Sequence, residues 1–349
     1  MRILHLTVGL SIGGAERALV DLAAAQQALG HEVAVLAVRR GGPIALELQR
    51  CGVPCAWPGA PAAAWRALPR RPELVHGHLF AADVAGLGFA RARGAAAVTT
   101  LHSTVEGYSL SPLRRRVAQA LYPRFELRVA VSGAVADSFA RELGVTAVVL
   151  PNAIRHRLPS DGELAAARAE LPAGRVVLAV GRLIDTKHFS AAAAALAHLP
   201  DDVSLVVVGD GPERDTIAQA AAGAAGRLRF LGSRSDVPAL LACADALVLP
   251  SSVEGSPVTV VEAMQAGCPV VATRAGGLAE MLEGCPVPAI ERPDAAAVAA
   301  SVAAALEPAR VEAFGKWAIG ARARYAPETV VRALDELYVA ARGSRRGQA

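Results

Sequence analysis

The chain has 349 residues, of which 53% are hydrophobic, 19% charged and 4% aromatic; that balance fits two domains with separate cores and excludes disordered and collagen-like chains. Its longest apolar runs, such as the Ala-rich stretch 295–306, fall short of the roughly 18 residues a membrane-spanning helix needs, no cleavable leader precedes the first strand pattern, and five cysteines are too few and too odd in number for a disulfide scaffold, which points to a reducing, cytoplasmic setting. The net charge of +4 is uneven: residues 1–150 carry 16 Arg against 10 acidic groups and residues 151–349 carry 20 basic against 22 acidic groups, so an anionic partner is expected for the first half.

In chain order, a strand is predicted at Arg2–Val8, then a loop with Gly13-Gly14 and a helix over Ala15–Leu29. Gly30 stands where a helix end wants a left-handed residue. Strands follow at Glu32–Val38, Leu74–Gly77, Ala96–Leu101, Leu127–Val131 and Ala147–Leu150. The polar stretch from Pro151-Asn152 to Gly162 reads as a boundary. Beyond it, strands are predicted at Val176–Val180, Ser204–Val208, Leu228–Leu231, Ala246–Leu249 and Pro269–Ala272, with helices opening at prolines such as Pro212 and Pro257. Strands alternating with helices predict parallel sheets covered on both faces. The expected architecture is therefore α/β: two doubly wound, Rossmann-like domains facing a cleft, at 1–152 and 153–325. Residues 326–349 are expected to return to the first domain as a helix with a frayed tail from Gly343 onward.

Ligands of open parallel sheets sit at the carboxyl ends of strands, where loops enter helices. The richest such segment is 245–277, DALVLPSSVEGSPVTVVEAMQAGCPVVATRAGG. A helix is predicted from Pro257, capped by Ser256, so the backbone N–H groups at Ser256, Pro257's successor Val258 and Thr259 offer an anion site. Glu254 lies in the loop and Glu262 in the helix, eight residues apart. A carboxylate one or two turns along could accept two ribose hydroxyls; alone, it could equally be a solvated helix residue. Arg182 and Lys187, on the exit loop of another strand, can bracket a diphosphate, although each alone reads as a surface charge. Gly211 follows a third strand, where a glycine admits close approach by a ligand or simply makes a turn. Gly13 and Gly14 open the first helix without the GxGxxG spacing of a dinucleotide site. His102 ends a strand, as do His76 and His78, which lack a third clustered metal ligand in the sequence; no metal site is expected.

A basic segment at 113–128 adds an expectation about partners. Leu113, Val117, Ala120, Leu121 and Phe125 recur at spacings of three and four beside Arg114, Arg115, Arg116, Arg124 and Arg128. One helix carrying this stripe could lie on the anionic inner face of a membrane, and the same pattern fits an ordinary helix packed on its own domain.

The ordered set GGAER at 13–17, VHGH at 75–78, TLHS at 100–103, VLPNAI at 149–154, VGRLIDTK at 180–187, VVGDGPER at 207–214 and EGSPVTVVEAMQAGCPVVAT at 254–273 resembles retaining GT-B glycosyltransferases of family 4 (glycosyl transferases group 1). The resemblance spans roughly Met1 to Gly277 and includes the family's paired glutamates as Glu254 and Glu262. It implies that a sugar passes from a nucleotide-sugar donor to a glycan or lipid-linked acceptor with its anomeric configuration retained, in cell-envelope or exopolysaccharide biosynthesis, and without a metal or other cofactor. Arg182 and Lys187 would hold the diphosphate and Glu262 the ribose. Glu254 would contact the donor sugar near the reacting centre, and His102 would line the sugar pocket. Amides around Ser256–Thr259 and at Gly14 would complete the site. Two positions depart from the family: Ser256 stands where a bulky apolar residue is common, and His188 where Gly is common. Rival readings are another GT-B-type nucleotide-sugar enzyme, such as an epimerase, and a non-catalytic nucleotide-sugar-binding protein. Nucleic acid is not expected as a partner, because the arginines lack interleaved aromatics.

Overall fold

Runs of Val, Leu, Ile and Ala, buried on both faces, form the strands of two parallel sheets in the computed structural model, which describes residues 1–346. The chain divides into two units: Met1–Arg155 joined by the segment from Arg324 onward, and His156–Ala323.

In the first unit the strands are β1 (Arg2–Gly9), β2 (Glu32–Arg40), β3 (Cys55–Ala56), β4 (Leu74–His78), β5 (Ala96–Leu101), β6 (Leu127–Ala130) and β7 (Val148–Val149). They are ordered β3-β2-β1-β4-β5-β6-β7, all parallel, so the order reverses between β1 and β4. Helix α1 (Gly14–Ala28) leaves β1, and its end is closed by Gly30 at φ +85°. Helix α2 (Pro112–Leu121) precedes β6.

The second unit repeats the design with β8 (Arg175–Val180), β9 (Val203–Val208), β10 (Leu228–Gly232), β11 (Ala246–Leu249) and β12 (Val270–Ala272). Their order is β10-β9-β8-β11-β12, and it reverses between β8 and β11. Helix α3 (Val258–Ala266) joins β11 to β12. The chain then returns: helix α4 (Pro327–Arg346) lays Val330, Val331, Leu334 and Tyr338 on Ile3, Leu74, Val98 and Leu127 of the first sheet. Burying this apolar face fixes the helix there, at roughly 1.5–3 kcal/mol for each large side chain fully covered.

Several details differ from the sequence reading. Strand β3 was not anticipated; two residues are too few to show a period of two. The helices expected at Pro212 and Pro257 begin at Arg214 and Val258, with Glu213 and Pro257 as the flanking cap residues. The first unit reaches Arg155, because the Ile154 N–H donates to the Tyr325 carbonyl (2.8 Å) and the Arg155 N–H to the Asp21 carboxylate (3.0 Å). Helix α4 continues through Gly343 to Arg346, and the rest of the expected frayed tail, 347–349, lies outside the described residues.

The single basic helix over 113–128 does not form. Helix α2 ends at Leu121, a short 3-10 turn covers Tyr122–Arg124, and Arg128 lies on β6. The Arg128 guanidinium donates to the carbonyls of Thr146 (2.8 Å) and Phe125 (2.6 Å), and burial lowers its pKa. Arg115 pairs with Glu142 at 2.5 Å. The stripe is also split: Leu113 is 73% exposed whereas Phe125 is buried. A continuous membrane-facing helix is therefore not what this segment makes. Among the described residues, no helix is long and apolar enough to cross a membrane.

Candidate active site

In the second unit, the reversal of strand order brings together two loops that are far apart in sequence. Ligands of such sheets bind at this switch point. The loop after β8 carries Arg182 and Lys187; the loop after β11 carries Ser251, Glu254 and Ser256. They are joined by the Ser252 N–H, which donates to the Thr186 carbonyl at 2.9 Å. The Lys187 ammonium donates to Glu254 Oε1 at 2.5 Å, and the Ser251 hydroxyl donates to the same oxygen at 2.8 Å. Both ionic side chains are largely buried, 17% and 8% exposed. Side chains held this far from water need partners for their polar atoms, and the pairing holds both in place. Arg182 is exposed on the same loop, outside this pair.

Backbone packing positions these loops. Gly211 has φ +158°, and a Cβ there would sit 2.3 Å from the Leu183 carbonyl oxygen. The β9 exit loop therefore lies directly on the β8 loop, with the Leu183 N–H donating to the Asp210 carbonyl (2.9 Å). Gly276, at φ +52°, likewise brings the loop after β12 against the Glu254 carbonyl, 2.1 Å from where its Cβ would be.

Helix α3 starts beside this pair. No side chain caps it, so the N–H groups of its first turn at Val258 and Thr259 point out of the helix with partial positive charge. Ser256 is not the expected cap: its hydroxyl is directed to Met281 Sδ at 3.7 Å, and Pro257, in extended backbone, is the cap residue. Glu262 is buried one turn further along. A cavity of about 330 Å³ borders these loops, lined by Ser251, Ser252, Thr273, Arg274 and Glu291 among others. His188 adopts φ +49° and ψ +34°, a left-handed geometry that glycine takes without strain.

In the first unit the switch point lies between β1 and β4. Gly13 caps α1 from extended backbone and Gly14 is its first residue; no side chain caps this helix either. Across the sheet, strands β1, β4 and β5 converge on four imidazoles. His5, His76 and His78 are fully or almost fully buried, and His102 is half-buried just beyond β5. Burial holds all four neutral: the pKa values of His5 and His102 fall to about 4, and those of His76 and His78 fall well below the ordinary value. On the opposite face of this sheet, burial raises the Asp83 pKa to about 7, against the opposing effect of hydrogen bonds from Thr99 (2.8 Å) and Tyr122 (3.2 Å).

The fold supplies the third histidine that the sequence did not place beside His76 and His78. Ligand atoms of His5, His76 and His78 lie within 4.8 Å of one another. Yet His76 spends both ring nitrogens on the Tyr338 and Thr100 hydroxyls (2.6 and 2.7 Å), and His5 and His78 bond each other at 3.0 Å. These bonds hold the three rings in a hydrogen-bonded core. His5, Gln26 and Tyr338 were not anticipated; a histidine inside the apolar strand RILHLTVG was the one local sign.

The comparisons with known proteins agree with this architecture. The Glycosyltransferase Family 4 model matches residues 12–158 and the Glycosyl transferases group 1 model matches residues 174–308. The chain is 33% identical to the 2-deoxystreptamine N-acetyl-D-glucosaminyltransferase of Streptomyces fradiae, over 83% of this chain and 76% of that one. It is 39% identical to LpsE, a lipopolysaccharide core biosynthesis glycosyltransferase of Rhizobium meliloti, over 32% of this chain; the match spans 33% of LpsE's length. The crystal structure of HepE from Anabaena superposes with a TM-score of 0.82 at 26% identity, covering 96% of this chain and 98% of that one. Two Rossmann-like, parallel-sheet units define the GT-B class. The chain belongs to the GT-B glycosyltransferases of group 1.

Proposed function

We propose that the chain is a retaining, family 4 glycosyltransferase that moves a sugar from a nucleotide-sugar donor to a glycan or lipid-linked acceptor in polysaccharide or cell-envelope biosynthesis. One observation carries the reading: Lys187 and Glu254 are paired at 2.5 Å across the β8/β11 switch point, beside the uncapped start of α3. HepE has been solved with UDP and glucose and with UDP-glucose, which supports a UDP-sugar as the donor.

In this reading Arg182, Lys187 and the first N–H groups of α3 take the donor diphosphate. Negative charge grows on that leaving group as the glycosidic bond breaks, so these fixed positive groups act most strongly in the transition state. Glu262 accepts hydrogen bonds from the ribose hydroxyls, and Glu254 turns from Lys187 toward the sugar. Gly14, the first residue of α1, and His102, just beyond β5, are the first unit's candidate substrate contacts. Protein cations do the electrostatic work, and no metal or other cofactor takes part.

The test is transfer and hydrolysis with UDP-, GDP- and ADP-sugars, with and without EDTA. Turnover of one nucleotide class, unchanged by EDTA, is the expected result. Loss in EDTA that Mg²⁺ or Mn²⁺ restores would refute the metal-free reading, and no turnover of any donor would refute the enzyme. The anomeric configuration of the product, read by NMR, decides retention.

A further inference from the structure

The buried histidines of the first unit form one ordered chain of hydrogen bonds. Gln26 on α1 stands at its head. The Gln26 amide N–H donates to the Tyr338 hydroxyl (3.2 Å), and the Gln26 carbonyl accepts from His5 Nε2–H (2.7 Å). His5 Nδ1 and His78 Nε2 are 3.0 Å apart, and His78 Nδ1 and His102 Nε2 are 3.1 Å apart. A neutral imidazole has one donor and one acceptor nitrogen, so each bond dictates the next. Since His5 donates through Nε2, its Nδ1 accepts from His78 Nε2–H. His78 Nδ1 then accepts from His102 Nε2–H.

The count ends at His102, which must carry its proton on Nε2 and a lone pair on Nδ1. Among the described residues, no protein group engages that Nδ1. The parallel branch obeys the same rule: Tyr338, having accepted from Gln26, donates to His76 Nδ1, and His76 Nε2–H donates to Thr100. His76 also stacks on His78 at 4.4 Å between ring centroids, which holds the His78 ring in plane. The His102 backbone N–H is fixed separately, on the Tyr108 hydroxyl at 3.1 Å. Burial keeps all four rings neutral, which preserves the one-proton-per-bond count.

We propose that Gln26, His5 and His78 are positioning residues that act through His102, locking its ring and presenting Nδ1 as a hydrogen-bond acceptor for a donor-sugar hydroxyl. The inference rests on the reading that His102 touches substrate. A group that hydrogen-bonds behind a reactive imidazole sets both tautomer and orientation. Here the group behind is another imidazole, and behind that a third, ending on an amide whose orientation sets the direction of the whole chain.

Long-range ¹H–¹⁵N NMR on the full chain labelled in histidine reads each tautomer directly, without reference to activity. The wild type at neutral pH is expected to show His5, His76, His78 and His102 all as Nε2–H. His78→Phe removes both bonds but keeps a ring; it should leave His102 in mixed tautomers and lower transfer by about tenfold or more. His78→Gln, which retains one acceptor and one donor, should restore both readouts most of the way. Gln26→Met, two residues removed from His102, should scramble the same tautomer if His78→Phe fails to fold. A wild-type His102 carrying Nδ1–H overturns the proposal, as does a His102 tautomer indifferent to both variants. If instead His102→Ala leaves transfer unchanged while the tautomers are as stated, the substrate reading of His102 fails and the chain of bonds stands.

Discussion

The two units share one architecture and place their polar groups differently. In the second unit the strands are almost purely apolar, and five of the buried polar residues, Ser251, Glu254, Ser256, Glu262 and Thr273, cluster in the segment that leaves β11 and returns as β12. The sheet packs and the loops carry charge. In the first unit polar groups sit in the sheet itself: His5 on β1, His76 and His78 on β4, Thr99 and Thr100 on β5. A polar group in a core must be fully hydrogen-bonded or it destabilises the fold. That demand ties two polar groups to the first sheet's stability, the imidazoles on one face and Thr99, Asp83 and Tyr122 on the other, whereas the second unit's site can change contacts without loosening its sheet.

The largest expected effect comes from breaking the ion pair of the second unit. Lys187→Ala should lower kcat by about a hundredfold or more, the scale of removing one preorganised charge from a transition state. It also strands Glu254 in a buried position, so stability should fall by about 3–5 kcal/mol if the carboxylate stays ionised. Adding Glu254→Gln should recover most of that stability and none of the turnover. Thermal melts and steady-state kinetics on the single and double variants separate the two losses. Recovery of turnover in the double variant would show that Lys187 serves only to neutralise Glu254.

Next in size is acid sensitivity confined to the first unit. The unfolded chain binds protons at histidine below about pH 6.5, while folded His5 and His102 resist until about 4 and His76 and His78 resist further. The histidine contribution to stability should therefore be flat above pH 6.5 and fall as pH drops toward 4, by up to about 1.4 kcal/mol per pH unit for each histidine held neutral. Asp83 opposes this: with its pKa raised to about 7, it gains relative stability as pH falls from 7. Four histidines outweigh one carboxyl. Hydrogen exchange at pH 7.5 and 5 should show β1 and β4 opening sooner in acid than β8 and β9. Equal acceleration in both sheets would contradict the comparison.

The smallest effect tests local strain beside the second unit's site. His188→Gly should stabilise the fold by up to about 1 kcal/mol, by removing a side chain from left-handed backbone. Urea unfolding would register it as a higher midpoint; a lower midpoint would mean that the His188 ring contributes more than its strain costs.

The same contrast explains what the sequence disclosed. The second unit's strands were readable because each is a continuous apolar run, and its site because the loop, the helix start and both glutamates fall within 254–262. The pairing of Lys187 with Glu254 was not readable, since it depends on which parallel strands become neighbours across 67 residues. The cap of α3 was misplaced by one residue, because Ser-Pro fits a cap followed by a first helical residue as well as it fits the extended Pro257 found here. In the first unit, VHGH and TLHS were visible as strand ends, but the network behind them was not. His76 meets Tyr338 from 262 residues away, and no local pattern announces that contact. The basic segment misled for a related reason: three- and four-residue spacings continued past Leu121, but the helix ends there and Leu127 begins the register of β6, with Arg128 second in the strand.

Calorimetric titration of UDP-glucose into the wild type and into Glu262→Ala tests the central claim most directly, that the second unit's strand-exit loops bind a nucleotide-sugar. Losing a buried, charged hydrogen-bond acceptor for the ribose should weaken binding by about one to two decades, or roughly 1.5–3 kcal/mol, with the melting behaviour of the second unit little changed. Equal affinity in the two proteins would contradict the assignment of Glu262 to the ribose, and failure of the wild type to bind UDP-, GDP- or ADP-sugars alike would contradict the claim itself.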